Sequence, residues 1–187
     1  MTPSPSLFLD ANVLYASLLR DLLLRLAAEG VCRVHWSAEV QQEWCTHLMA
    51  AGYSEAVLTR TQLRMNAAFP RAQVEGYQAL ISQLMLPDPA DRHVLAAVVH
   101  AGVGVLVTFN LKDFPADTLA RYGVVPLHPD VLLTRLLKQA PDGCGLALGK
   151  LVASLKSPPM TLGDIAAALE KLQMPQSAGQ LRARFGE

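Results

Sequence analysis

Cysteine is scarce in this sequence, and its spacing suits neither cross-linking nor metal binding. The 187 residues contain three cysteines, Cys32, Cys45 and Cys144, an odd number without a Cys-x-x-Cys pair. A disulfide framework or a thiolate zinc site needs cysteines in such sets, so the sequence predicts neither. Because free thiols are typical of a reducing compartment, we expect a cytoplasmic protein.

Long hydrophobic runs and a leader pattern are also missing. The first six residues, Met-Thr-Pro-Ser-Pro-Ser, do not have the basic and then apolar order of a signal peptide. The most apolar stretch, residues 94–109, is shorter than the roughly 20 residues of a membrane helix. It also contains His100, Gly102 and Gly104. We therefore expect no membrane association.

The chain lacks an excess of charge of either sign. Sixteen acidic and sixteen basic side chains balance, and charged residues make up 17% of the sequence. The overall charge therefore gives no basic signature of nucleic-acid binding, and any phosphate contacts would have to be local. The hydrophobic share of 51% predicts a sizeable core, in one domain with a modest appendage.

Several well-known catalytic signatures are absent. There is no P-loop, no Gly-x-Gly-x-x-Gly, no Gly-x-Ser-x-Gly, and the five histidines never form His-x-x-x-His. Glu43 and His47 share a predicted helix face, so a zinc site there is a minor alternative. The remaining candidates for catalytic or metal-binding residues are carboxylates.

Strands alternate with helices in the first part of the chain. We expect strands at residues 6–9, 31–36, 104–109 and 124–127. We expect helices at residues 13–28, 38–50, 54–68, 74–84 and 88–101, with a short helical turn from Asn110. This alternation predicts an α/β fold, a parallel β-sheet with right-handed crossovers, flanked by helices.

The pattern changes after Pro129. Three helical segments are expected there, with breaks at Pro141-Asp142-Gly143, Ser157-Pro158-Pro159 and Met174-Pro175. We therefore divide the chain into a sheet domain, residues 1–129, and a helical C-terminal extension, residues 130–187. One segment, capped by Thr161, has an apolar stripe at Leu162, Ile165, Leu169 and Leu172, which packs within the chain or serves a dimer or partner contact.

Acidic residues recur where the predicted strands end, the edge at which open parallel sheets bind ligands. Asp10 ends the first strand, and Asp113 follows the third. Asp88 and Asp91 open the helix before the third strand, and Glu43 lies in the helix after the second. Each alone is explained as a helix cap, a dipole partner or a solvated side chain. Together they would repel one another, which favours a hard cation such as Mg²⁺ or Mn²⁺.

Neutral oxygens accompany these acids. Asn12 comes two residues after Asp10, and Thr108 lies at the end of the third predicted strand. Both are expected to lie close to the carboxylates.

The same residues resemble the four sequence motifs of the PIN-domain family. Phe-Leu-Asp10-Ala-Asn12-Val-Leu-Tyr is similar to the first, and Ser37-Ala-Glu-Val-Gln-Gln-Glu43-Trp to the second. Asp91-Arg-His-Val-Leu-Ala-Ala is similar to the third, and Leu106-Val-Thr-Phe-Asn110-Leu-Lys-Asp113-Phe-Pro to the fourth. The motifs agree in order and spacing over the sheet domain, and the likeness is greatest to the VapC-like toxin branch.

The resemblance implies a Mg²⁺- or Mn²⁺-dependent endoribonuclease, a phosphodiester hydrolase, often inhibited by a cognate antitoxin and often a homodimer. Asp10, Glu43 and Asp91 would hold the first ion. Asp113, helped by Asn110 and Thr108, would position a second ion or a water. Asp88 either faces this site or only caps its helix. Arg20, Arg92 and Lys112 are candidate RNA contacts, although each is also explained as a solvated surface charge.

One departure keeps alternatives open. Many relatives carry Asp where this chain has Asn110, so the fourth carboxylate is Asp113 or is absent. A non-catalytic PIN module that binds protein or RNA is therefore one alternative, and a PIN nuclease in RNA processing or acting on DNA is another. A phosphoacceptor receiver domain fits poorly, because it needs an acid pair after strand one, where this chain has only Asp10.

Overall fold

The computed structural model of the protein describes residues 4–186. Met1 to Pro3, which belong to the segment predicted not to be a signal peptide, and Glu187, the last residue of the predicted extension, lie outside the described residues.

Five short strands form one parallel sheet in the order β3-β2-β1-β4-β5. The strands are β1 (Ser6–Leu9), β2 (Arg33–Ser37), β3 (Gln73–Val74), β4 (Val105–Val107) and β5 (Val125–Leu127). Leu7, Phe8 and Leu9 of the central strand have no exposed surface, as expected for a parallel sheet covered on both faces. The predicted α/β fold with a parallel sheet flanked by helices is confirmed.

Helices provide that cover. In the described part of the chain they are α1 (Ala11–Tyr15), α2 (Ser17–Ala28), α3 (Ala38–Ala50), α4 (Glu55–Ala68), α5 (Gln78–Ile81), α6 (Arg92–His100), α7 (Ala116–Ala120), α8 (Pro129–Gln139), α9 (Pro141–Ser154), α10 (Leu162–Lys171) and α11 (Pro175–Phe185). None of those within residues 4–186 is long and apolar enough to cross a membrane.

The predicted helix at residues 13–28 is in fact two helices. The break lies at Ala16, whose backbone is extended (φ −73°, ψ 97°). It frees the Leu14 carbonyl, which accepts a hydrogen bond from the Arg20 guanidinium instead. The predicted end at Gly30 is confirmed: Gly30 adopts φ +72°, and the N–H of Val31 donates to the Leu26 carbonyl at 2.9 Å.

The predicted helix at residues 74–84 is wrong. The segment begins with the edge strand β3, which pairs with the end of β2, and then forms only the single turn α5. Gly76, at φ +81°, separates the two. The apolar residues Val74, Tyr77 and Leu84 are all buried, so their spacing did not distinguish a helix from a strand and a turn.

The helix predicted at residues 88–101 begins with a 3₁₀ turn, Pro89–Asp91, before α6. Asp88 caps this turn by accepting a hydrogen bond from the Ala90 N–H at 2.8 Å. After β4, residues 111–113 form a turn, and α7 follows as a helix that the sequence did not predict.

The C-terminal region contains four helices rather than three. The break between α8 and α9 is Ala140 alone, and Pro141 begins α9, because a proline at the first helical position loses no hydrogen bond. Thr161 caps α10, as predicted, in a capping box with Asp164. Ile165 and Leu169 of the predicted stripe are fully buried, so this stripe packs within the chain.

A buried carboxylate joins the first and last of these helices. Asp130, in the first turn of α8, is 3% exposed. It accepts hydrogen bonds from the Ser177 N–H (2.7 Å), the Ser177 hydroxyl (2.6 Å) and the Gln176 N–H (3.0 Å). The start of α11 has no side-chain cap of its own, so Asp130 caps it from a distance.

We expect Asp130→Ala to lower the free energy of unfolding by about 2–4 kcal/mol, because three donors lose a charged acceptor in a buried site. Urea denaturation followed by circular dichroism measures this. The control is Asp142→Ala, an exposed acid in the first turn of α9, which should cost less than about 1 kcal/mol. Equal losses in the two variants would show that the remote cap does not stabilise the fold.

Candidate functional site

The order of the strands creates a crevice next to β1. The chain runs outward on one side through β2 and β3, then crosses to β4 and β5 on the other side. Ligands of open α/β sheets bind at such a switch point, outside the carboxyl ends of the strands. Leu9 pairs with Val107, so Asp10 and Thr108 follow as neighbours at this edge.

Asp10 is held rigidly at the crevice. Its carboxylate accepts hydrogen bonds from the Ala11 N–H (2.7 Å), the Asn12 amide (2.8 Å) and the Thr108 hydroxyl (2.7 Å). The side chain caps α1 and is 7% exposed. Asp10 therefore both caps a helix and lies at the candidate site, so the two explanations predicted for it do not exclude each other.

Asn12 and Thr108, predicted as supporting residues, orient both Asp10 and the segment after β4. The Asn12 amide also donates to the Thr108 hydroxyl at 3.1 Å, and its oxygen accepts from the Phe109 N–H at 3.1 Å. The Thr108 oxygen accepts from the Asn110 N–H at 3.0 Å as well. The side-chain oxygens of Asn12 and Thr108 thus accept hydrogen bonds from the segment after β4, while their donors bind the Asp10 carboxylate. The two residues therefore hold this carboxylate in place.

Three of the predicted carboxylates share one cavity of about 490 Å³. They are Asp10 after β1, Glu43 in α3 and Asp91 at the end of the 3₁₀ turn. The other lining residues are Ala11, Asn12, Tyr15, His47, Asn110 and Phe114. Residues from four separate parts of the sequence therefore meet at the predicted edge.

Two predicted acids are not among the lining residues. Asp113 accepts a hydrogen bond from the Asn110 side-chain amide, so its carboxylate is engaged beside the cavity. Asp88 is exposed and caps the 3₁₀ turn. The contacts of Asp88 are those of a helix cap.

Two carboxylates of the cavity, Asp10 and Asp91, are surrounded by other acids that disfavour their ionised form. Burial and then the charges of Asp10, Asp113 and Asp88 raise the pKa of Asp91 to about 6. Burial also raises the pKa of Asp10, helped by the charge of Glu43 and opposed by the hydrogen bonds from Thr108 and Ala11. The cavity thus has a deficit of positive charge.

His93 contacts the site and was missed at the sequence level. Its Nε2 lies 2.7 Å from Oε1 of Glu43. Burial lowers the pKa of His93, but the hydrogen bond and charge of Glu43, with Glu39 and Asp10, outweigh it and raise the pKa overall. Its position two residues after Asp91 was the available signal. His47 lies one turn after Glu43 on the helix face that the sequence analysis considered only for zinc, and Tyr15 and Phe114 lie within the first and fourth motifs without being assigned a role.

The three predicted RNA contacts lie in different surroundings. Lys112 is exposed in the turn beside Asn110. Arg92 is half-buried, with its guanidinium 3.8 Å from the sulfur of Met85. Arg20 does not line the cavity: its guanidinium lies 4.5 Å from the centre of the Trp44 ring. The packing of Arg20 on Trp44 accounts for its position without a role in RNA binding.

The donor set suits a hard cation. The available ligands are carboxylate oxygens, and the raised pKa values of Asp10 and Asp91 are what a cation would relieve. Among residues 4–186, no three His, Cys, Asp or Glu side chains lie close enough to form a ready-made metal site. Mg²⁺ commonly keeps several waters and one or two carboxylates, so the arrangement fits an ion held partly through water.

Comparisons with known proteins agree with the geometry. The sequence model of a family described as "PIN domain" matches residues 6–112, and one described as "VapC50 C-terminal domain" matches residues 129–183. "Putative ribonuclease VapC50" of Mycobacterium tuberculosis is 38% identical over 110 residues, which is 59% of this chain. The aligned region spans 64% of that relative, less than two thirds of it. No solved structure matches.

We expect Asp10→Asn to lower the pKa of Asp91 from about 6 in metal-free protein, because one repelling charge is removed. Carboxyl ¹³C NMR in the presence of a chelator measures this. The exposed Asp117→Asn is the control and should leave the Asp91 pKa unchanged. An unchanged pKa in Asp10→Asn would show that the two groups do not interact.

The same shift predicts a pH effect on stability. A carboxyl whose folded pKa lies above its ordinary value of 3.8 binds its proton more tightly in the folded state. The stability that Asp91 contributes is therefore present below about pH 4 and is lost as the pH rises through about 6. Urea denaturation across this range should show wild type losing stability relative to Asp91→Asn, and parallel curves would contradict the prediction.

Proposed function

The chain belongs to the PIN-domain family, on its VapC-like branch, and from this premise we propose that it is a divalent-metal-dependent endoribonuclease. One observation supports this above all: Asp10, Glu43 and Asp91 come from separate elements and line one cavity at the switch point of the sheet. A packing role does not explain three carboxylates in one cavity, two of which, Asp10 and Asp91, have a raised pKa.

We assign the binding of a Mg²⁺ or Mn²⁺ ion to Asp10, Glu43 and Asp91, directly or through water. Such an ion supplies Lewis acidity and lowers the pKa of bound water. Asp10 is preorganised for this role, since Thr108 and Asn12 fix its orientation before any ion arrives. The RNA phosphodiester would lie in the cavity between Asp10 and Asn110.

Asp113 remains our candidate for a second ion or water near the leaving oxygen. Its partner Asn110 lines the cavity, so Asp113 would act on a bound phosphate from beside the cavity, through or next to Asn110. We assign phosphate contacts to Lys112 and Arg92 at the same end of the sheet, and no longer to Arg20, which packs on Trp44.

We propose that residues 1–129 form the catalytic unit and residues 130–187 a helical extension. The separate matches of the two family sequence models support this division. The placement on the VapC-like branch supports a cytoplasmic toxin of a type II toxin–antitoxin pair, with RNA as substrate, an antitoxin as inhibitor and a homodimer as the assembly.

A non-catalytic PIN module is the second candidate. Asn110 stands where many relatives carry Asp, and the described residues contain no ready-made three-ligand metal site. Such a protein would bind RNA or a protein without cutting it.

We expect purified protein to cut a panel of structured RNAs with Mn²⁺ or Mg²⁺ and not with EDTA. Asp10→Asn should lose activity by orders of magnitude and stay folded, because an amide is a poor ligand for a hard cation. Asp117→Asn, an exposed acid outside the site, should cut like wild type. Full activity in Asp10→Asn would refute our assignment, and a folded wild type that binds RNA without cutting would favour the second candidate.

We expect expression in a bacterial host to arrest growth, because a ribonuclease toxin acts on the host's RNA. Co-expression of the product of the neighbouring open reading frame should restore growth, and Asp10→Asn should not arrest it. Colony counts on plates with and without inducer measure both effects. Cleavage of RNA in vitro without arrest in the host would support the RNA-processing alternative over the toxin.

A further inference from the structure

We propose that His93 is a positioning residue that holds Glu43 at the cavity by one carboxylate oxygen and leaves the other for a divalent cation. The inference deepens the proposed function and rests on it, since the cation belongs to that proposal.

The contact joins two helices across the candidate site. His93 lies in the first turn of α6 and Glu43 in the middle of α3, and Nε2 and Oε1 are 2.7 Å apart. The His93 side chain is 14% exposed, whereas that of Glu43 is 39% exposed. The histidine is therefore the fixed partner, and the glutamate is the side chain that would otherwise rotate into solvent.

Among residues 4–186, the polar partner of His93 is Glu43. Its Nδ1 is buried and has no hydrogen-bond partner in the described part of the chain. A buried N–H without an acceptor costs more than a buried lone pair, so the neutral ring favours the tautomer with hydrogen on Nε2. The imidazolium also carries hydrogen there. The donor that faces Glu43 is thus present in both states.

The next acid on α3 is already engaged. Glu39, one turn before Glu43, accepts hydrogen bonds from the Tyr77 hydroxyl and from the Gln78 amide at 3.5 Å. His93 therefore pairs with Glu43 and not with Glu39. The contact with His93 uses Oε1, and no hydrogen bond to Oε2 of Glu43 is found among residues 4–186, which leaves this oxygen for a cation or its water.

The arrangement resembles the outer-shell support that ligating carboxylates commonly have. A hydrogen bond to one oxygen fixes the rotamer and thereby lowers the entropy cost of binding through the other. Loss of such a partner typically costs about 10–100-fold in metal affinity. A residue that only stabilises the fold would not change metal affinity in this way.

The test measures Mn²⁺ affinity without RNA, by calorimetry and by the EPR signal of free Mn²⁺. We expect His93→Leu to weaken binding at least about 10-fold, and His93→Gln, whose amide can replace the Nε2 donor, to recover most of it. His93→Leu combined with Glu43→Gln should bind no more weakly than Glu43→Gln alone, because both changes break one linkage. His100→Leu, an exposed histidine at the end of α6, is the matched control.

Wild-type affinity in His93→Leu, or losses that multiply in the double variant, would overturn the proposal. A second measurement needs neither metal nor RNA, so it separates this proposal from the proposed function. The ¹⁵N resonances of His93 in chelated protein should shift in Glu43→Gln and not in Glu55→Gln, an exposed acid in α4. Unchanged His93 resonances in Glu43→Gln would equally refute the pairing.

Discussion

The hydrogen bond from the Thr108 hydroxyl to Asp10 joins residues 98 positions apart, and it forms only because β1 and β4 lie side by side. This pairing reverses the direction of the strand order and opens the crevice. It also sets the register in which Asp10 and Thr108 end their strands together. The remaining parts of the candidate site are arranged around this pair. Asp10 caps α1, and Asn12 binds the segment after β4. Helix α3 brings Glu43 to the cavity, and the 3₁₀ turn before α6 brings Asp91.

The candidate site stores unfavourable electrostatic energy that the rest of the fold must compensate. Asp10 is almost fully buried. Burial and the charges of the neighbouring acids, Asp10 among them, raise the pKa of Asp91. A protein selected only for stability would not gather these charges, since uncompensated acids in a partly buried cavity lower the free energy of unfolding. The buried strand β1 and the hydrogen bonds that Thr108 and Ala11 donate to Asp10 hold the charge in place. A bound cation would be attracted by these carboxylates, so the repulsion between them would be relieved on binding.

The C-terminal helices are attached through polar as well as apolar contacts. Asp130 caps α11 from α8, and its own N–H donates to His128, the residue that follows β5. Hydrogen bonds made by Asp130 thus join the end of the sheet to α8 and α8 to α11. Buried carboxylates occur in both parts of the chain for different reasons. Asp130 serves as a helix cap, whereas burial and neighbouring acids outweigh the charge of His93 at Asp10 and raise its pKa.

The sequence alone determined what depends on neighbouring residues. Strands that alternate with helices predicted the parallel sheet, and Gly30 and Ser37 predicted helix ends. Acids near the strand ends predicted five carboxylates at one edge of the sheet, of which Asp10, Glu43 and Asp91 share the cavity and Asp88 and Asp113 do not line it. Tertiary structure decided what depends on distant partners. It split the first predicted helix, because Arg20 can take the freed Leu14 carbonyl, and it turned residues 74–84 into a strand and a turn, because β2 offered an open edge. It also brought His93 to Glu43 and Arg20 to Trp44. Local pattern fixes which backbone conformations are favourable, whereas the partner of a charged side chain is chosen only when the chain packs.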